Sequence, residues 1–197
     1  MLNKITSVAP ARICLYGDHQ DYLNLPIIAI AIDRYIKVDA KSNLAEGFYI
    51  NKLDIKQKDI IDYNIDYNYK GKPEFLRIAL KVLKKYGCIP NKGYDISISS
   101  NIPINSGLSS SSALTVAWIQ FLLHSFMPEE KIDYKTLARL AYQTEVVETG
   151  SSGGNMDQYT LSLIHISEPT RPERIGVCGL GLEKKKGGGG GGGGGGG

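Results

Sequence analysis

The 197-residue chain is 42% hydrophobic and 22% charged, an ordinary composition for a soluble globular protein of one domain or a small pair. Its net charge of +3 belongs largely to residues 161–197: without Arg171, Arg174, Lys184, Lys185, Lys186, Glu168, Glu173 and Glu183, the 23 basic and 20 acidic residues become 18 and 17. That balance argues against a nucleic-acid partner, which needs a clustered basic face, and the apolar run from Ile27 to Ile32 is too short to span a bilayer. With no apolar leader in Met1 to Thr6, a cytoplasmic protein without membrane partners is expected.

In chain order, Lys4 to Val8 reads as a short strand that Ala9-Pro10-Ala11 breaks before a second run, Arg12 to Tyr16, ended by Gly17. Asp18-His19-Gln20-Asp21-Tyr22 crowds two carboxylates and an imidazole ahead of Pro26 and the buried-strand run Ile27 to Ile32. Such a crowd is either a solvated turn or a polar site. Cys14 has neither metal-like spacing nor a disulfide framework with Cys88, so both read as reduced core thiols. Further strands are expected at Ile36 to Ala40, Phe48 to Ile50 and Ile60 to Ile61. Pro73 and Glu74 should open a helix with Leu76, Ala79, Leu80 and Leu83 on its apolar stripe, stopped by Gly87. The tyrosines between Tyr63 and Tyr69 suggest no chemistry.

Tyr94 to Ser100 alternates as a strand, and Ala113, Val116, Ala117, Gln120 and Leu123 recur with helical period. Between them lies Asn101-Ile-Pro-Ile-Asn-Ser-Gly-Leu-Ser-Ser-Ser-Ser-Ala113, where a strand ends and a helix begins. Ser109 to Ser112 can cap that helix, whose first N–H groups lack internal partners and carry the positive end of the dipole. An anion suits such a place. The loop lacks the Gly-Lys-Ser/Thr of the common P-loop, and a serine run by itself is equally a polar turn.

Beyond Pro128, Asp133 should cap a helix from about Tyr134 to Glu148 with Leu137, Leu140, Ala141 and Thr144 inward. Glu145 falls near that apolar face with Glu148 beside it, and a carboxylate there needs a partner or a metal unless it lies outward on a fraying last turn. Gly150 to Tyr159 follows, carrying Gly154, Met156, Asp157 and Gln158. Leu161 to Pro172 reads as the translation of a transposase sequencing adapter, and Lys184 to Lys186 lead into eleven glycines. The natural sequence is therefore expected to stop near Thr160, with 161–197 a disordered read-through tail.

Three of these segments resemble one family in order. Pro103, Gly107, Leu108 and the serine run resemble Pro-x-Gly-x-Gly-Leu-(Gly/Ser)-Ser-Ser, the nucleotide loop of the GHMP kinase superfamily, with Asn105 in place of its first glycine. Arg12, Leu15, Gly17, His19, Asp21 and Tyr22 match the galactokinase segment Gly-Arg-Val-Asn-Leu-Ile-Gly-Glu-His-Thr-Asp-Tyr. Asp18 replaces its Glu, Cys14 its Asn, and Leu23-Asn24-Leu25 a usual Asn-Gly-Gly. Glu145, Gly150, Gly154, Met156, Asp157 and Gln158 match Glu-x-x-x-x-Gly-x-x-x-Gly-Ile-Met-Asp-Gln-Phe, with Ser152-Gly153 in place of a usual Pro-Cys.

The resemblance implies an α+β fold, a mixed sheet backed by helices over residues 1–160, whose ferredoxin-like second domain is absent. It implies an ATP-dependent kinase closest to galactokinases, acting on a sugar hydroxyl, the anomeric one. Pro103, Ser106, Gly107, Leu108, Ser109, Ser110 and Ser111 would hold ATP, while Ser111 and Glu145 would hold magnesium through oxygen ligands. Arg12, Asp18, His19, Asp21, Gly154 and Asp157 would meet the sugar, with Asp157 the base and Arg12 neutralising charge. A kinase of mevalonate or arabinose type, or a kinase-derived sugar sensor, are the alternatives. This fragment alone should be inactive, and the oligomeric state stays open.

Overall fold

The computed structural model describes residues 4–18, 20–23, 25–64, 74–103, 106–129, 133–162 and 177–179. His19, Pro73 and Asn105 lie outside them, as does nearly all of the stretch from Tyr63 to Tyr69. The elements run β1 (Lys4–Tyr16), a 3-10 turn (Asp21–Leu23), β2 (Ile28–Asn43), β3 (Phe48–Lys52), β4 (Gln57–Ile61), α1 (Phe75–Lys84), β5 (Gly93–Ser100), α2 (Ser110–Phe126), α3 (Tyr134–Tyr142), a π turn (Gln143–Val147), α4 (Met156–Ser162) and β6 (Val177–Gly179). The sheet order is β1-β2-β5-β3-β4; β3 and β5 are parallel and the other neighbours antiparallel. The expected mixed sheet backed by helices is what forms.

Alternation along the strands decides which face is covered. Ile5, Ala9 and Ala11 of β1, Val38 and Ala40 of β2, Phe48 and Ile50 of β3, and Ile96 and Ile98 of β5 are buried on the helical side. Lys41, Tyr49 and Asp95 are exposed on the other. Small residues in β1 let α2 come close, and buried Ser7 donates to the carbonyl of Ala117 at 2.7 Å, which satisfies its hydroxyl. Phe48 sits edge-on to Trp118, ring centres 5.5 Å apart, and the Trp118 indole donates to the Leu76 carbonyl at 3.0 Å. Cys88 is buried near the Leu122 carbonyl, and burial pushes its thiol pKa to about 12, as suits an unreactive core residue.

Several boundaries differ from the sequence expectation. β1 does not break at Ala9-Pro10-Ala11 but runs through it, with Pro10 opposite Tyr35 and Ala11 opposite Ile32. That register shift, on a strand at the sheet's edge, accommodates a residue that cannot donate to a ladder. β2 is correspondingly one long strand, its two expected runs joined across the shift. α2 is buried on nearly every side, including Thr115, Trp118, Ile119 and Leu122, because it lies between the sheet and other helices; no narrow stripe describes it. Asp133 does cap α3, accepting from the Thr136 amide at 2.6 Å. The α-helical ladder then gives way at Gln143 to a π turn, which buries both Thr144 and Glu145. α4 was not foreseen. It continues to Ser162 with Leu161 buried in the core, and Val177–Gly179 pairs with Ile28 to Ile30, so at these positions the segment expected to be disordered is placed. The reason lies in packing: α4 is docked through Met156 on the start of β2 and through Leu161 in the main core, and the start of β2 presents an edge that β5 does not reach.

Candidate active site

Three elements meet at Asp157. Arg12, near the end of β1, directs Nε to Asp157 Oδ1 at 2.6 Å and Nη1 to the Gly107 carbonyl at 2.8 Å, while its own amide donates to Leu108 O at 3.3 Å. Ser109 donates its hydroxyl to the other oxygen, Asp157 Oδ2. Asp157 lies in the first turn of α4, so a strand, the serine loop and a short helix are tied through one carboxylate. Arg12 is almost fully covered, and an arginine so placed requires such a partner.

The serine loop departs from the expected capping. Ser109 occupies the N-cap position of α2 but has φ 55° and ψ 47° and makes no side-chain cap bond. Its carbonyl accepts the first helical hydrogen bond, from Ala113 at 2.9 Å, and first-turn amides at Ser110 to Ser112 have no acceptor within the helix. Ser110 and Ser111 are exposed, and Ser106 turns back to the Pro103 carbonyl at 2.7 Å. Gly107 has φ +70° with open space where a Cβ would be, so its need for glycine is conformational and no neighbour crowds it.

Behind the loop, Glu145 is 6% exposed. Thr115 donates to its Oε1 at 2.9 Å, Gln158 to its Oε2 at 2.6 Å, and the Ser112 hydroxyl also bonds to it. Burial pushes its pKa up, and those three hydrogen bonds oppose the shift. The expected pairing with Ser111 is not what surrounds it: the hydroxyls beside Glu145 are those of Ser112 and Thr115, one turn apart on the inner side of α2, whereas Ser111 faces outward. Sequence reading missed Thr115 and Ser112 as neighbours of Glu145, and gave Gln158 no contact. Helical spacing from Ser112 to Thr115 was the available signal. Glu148 is a surface residue, paired with Lys81 at 2.9 Å and with Lys85, and both ammonium groups hold its carboxyl below the ordinary range.

On the third side, Gly17 at φ +86° turns the chain after β1, and Asp21 opens the 3-10 turn. A methyl on Gly154 would overlap the Asp21 carboxylate, so these two expected residues do lie together and glycine is required for the approach. Asp18 is exposed at the rim. Met156 packs on Ile27 and Ala29, which docks α4 against the start of β2 and thereby sets where Asp157 stands. Among the described residues no group of three or more His, Cys, Asp or Glu is arranged to hold a metal, and no helix is long and apolar enough to cross a membrane.

A mixed sheet covered on one face by helices thus frames a serine-led helix start set against a buried arginine–aspartate pair. Residues 74–163 match the GHMP kinases N terminal domain, the family that the three sequence segments resemble. The chain is 29% identical over 160 residues to a mevalonate kinase of Pyrococcus furiosus, covering 77% of this chain and 47% of the relative. It is 31% identical over 159 residues to a galactokinase of Thermosipho africanus, covering 77% and 41%. Among solved structures, Lactococcus lactis galactokinase complexed with galactose superposes with a TM-score of 0.70 at 22% identity, over 81% of this chain and 42% of that one. Methanococcus jannaschii mevalonate kinase gives 0.68 at 25%, over 80% and 50%. The chain thus spans about half the length of the curated relatives it matches. Relatives of both kinds appear, so the expected leaning to galactokinase finds no preference in these similarities.

Proposed function

We propose that the full-length protein is an ATP-dependent phosphotransferase that moves the γ-phosphoryl group to a sugar hydroxyl, the anomeric one, with Asp157 as base. The observation that carries this reading is the placement of Asp157, held by Arg12 at 2.6 Å and by Ser109, between the serine-led start of α2 and the segment bearing Asp18 and Asp21. Phosphoryl transfer asks mainly for positioning and charge neutralisation. First-turn amides of α2 would receive phosphate oxygens, supported by the loop from Pro103 through Ser111. Arg12 would offset charge on the transferred group. Each Asp157 oxygen retains a second lone pair, so a substrate hydroxyl can still hand over its proton.

Glu145 with nearby hydroxyls is a hard-oxygen donor set of the kind magnesium takes. Glu145 would hold that ion, whereas Ser111, the other expected ligand, faces away from it here, and magnesium when bound would supply charge neutralisation on the phosphates. The acceptor preference follows from charge. Asp21 beside Gly154, with Asp18 at the rim and His19 in the same segment, offers acceptors to neutral hydroxyls and repels a carboxylate substrate. The many mevalonate kinase relatives favour the second reading, a kinase for that carboxylate. Residues 1–160 would then be the N-terminal domain and 161–197 a read-through segment foreign to it, the protein working in the cytoplasm. The test is phosphate transfer by the purified full-length protein from ATP and magnesium to galactose, arabinose and mevalonate in parallel. Transfer to a sugar is expected; transfer to mevalonate alone, or to none of them, overturns the reading.

A further inference from the structure

Ser109 stands in the phosphate-binding loop, yet its side chain is directed to Asp157 and not toward the open side of the loop. It is also one of two described non-glycine residues with positive φ, the other being Lys56 in the β3–β4 turn. The left-handed region disfavours any residue with a β-carbon, and strain of this kind persists where surrounding contacts over-determine it. Those contacts are present: Leu108 is anchored by the Arg12 amide, Gly107 by the Arg12 guanidinium, and Ser109 itself by the Asp157 carboxylate. A glycine would adopt the same φ with less strain, so serine retains a hydroxyl at a conformational cost.

Resting on the kinase reading above, we propose that Ser109 is a positioning residue for Asp157, its hydroxyl holding the carboxylate in the orientation for proton acceptance while only its backbone serves the nucleotide. Arg12 fixes one carboxylate oxygen and Ser109 the other, so the plane of the carboxylate is determined by two donors from different elements. One donor alone would leave it free to rotate about the remaining bond. Because the second donor sits at the first residue of the loop–helix junction, the acceptor side of the reaction is aligned with the element proposed to receive the phosphates.

Two substitutions separate this role from loop geometry. Ser109→Ala removes the hydroxyl and keeps the strain; Ser109→Gly removes the hydroxyl and relieves the strain. In the full-length protein both should lower kcat by about ten- to a hundred-fold, the effect of losing a hydrogen bond to a charged group, with KM for ATP changed less than about threefold. Their thermal midpoints should part, with Ser109→Gly the higher. In an Asp157→Asn background, Ser109→Ala should alter kcat by less than about twofold, since the group it orients is gone. Wild-type kcat in Ser109→Gly with loss in Ser109→Ala would overturn the proposal in favour of backbone shape, and a rise in KM for ATP at unchanged kcat would assign the hydroxyl to the nucleotide instead. An inactive wild type would overturn the kinase reading and this proposal together; an active wild type with both variants unimpaired would overturn this proposal alone.

Discussion

The aromatic core under β3 and β5 and the polar site at the start of α2 are enclosed by the same helix on different terms. Trp118 and Phe121 fill space against Phe48 and Tyr94, where any close-packed apolar arrangement contributes and direction matters little. Ser112 and Thr115, about two turns and one turn before Trp118, meet a buried carboxylate, where each hydrogen bond has one donor and one acceptor. The core therefore tolerates changes of shape at a cost in stability. At the site, the same volume with different polarity should leave the fold and remove the activity.

The largest effect expected on that contrast is at Asp157. In the full-length protein Asp157→Asn preserves volume and should cut turnover by roughly two to four powers of ten, with the protein still folded but a lower thermal midpoint because Arg12 loses its charged partner. Steady-state kinetics beside a melting curve checks it, and full turnover would remove Asp157 from the proposed chemistry. Trp118→Ala is the opposite case: it empties a site with no exposure and leaves the Leu76 carbonyl without its donor. A loss of about 3–5 kcal/mol in denaturant unfolding is expected.

Glu145→Gln sharpens the comparison because it is both buried and polar. Removal of the charge should raise the magnesium concentration for half-maximal turnover by about ten-fold or more, while stability is unchanged or higher, since a neutral amide is easier to bury. An unaltered magnesium titration would assign Glu145 to structure. The smallest effect should come from the surface pair that joins β4 to α1, where Arg77 donates to both oxygens of Asp59 at 2.9 Å. Hydrogen bonding from Arg77 holds the Asp59 carboxyl below its ordinary range. A depressed folded-state pKa contributes stability above the unfolded value, and this contribution is lost as pH falls through the folded value. Asp59→Asn should therefore cost about 1 kcal/mol at neutral pH and nothing in strong acid, measured by unfolding at both.

Much of the site was readable as segments and little of it as contacts. Gly107, Ser109, Glu145, Gly154 and Asp157 each stood out through local pattern or motif register, and Arg12, Ser109 and Asp157 prove to be joined. Reading of the serine run failed at its capping role, because the competition between a helix amide and a carboxylate for the Ser109 hydroxyl depends on where α4 lies. Thr115 carried no signal beyond its helical spacing from Ser112, and Gln158 none beyond its place in the matched segment. A threonine inside an apolar helix and a glutamine after an aspartate are ordinary until Glu145 is brought between them.

Local physical chemistry, acting within a few residues, was enough for the sequence to determine the strands, the loop-to-helix junction before Ala113 and the Asp133 cap. Alternation, helical period and turn residues express preferences that do not need the rest of the chain. Tertiary structure decided what spans long separations: β1 passing unbroken through Pro10 because it lies at an edge, the π turn that buries Glu145, and the docking of α4 through Met156. Those outcomes depend on which surfaces meet, and the hydrogen-bond partners of Ser109, Arg12 and Glu145 follow from that meeting because a buried polar group takes the partner placed within its reach.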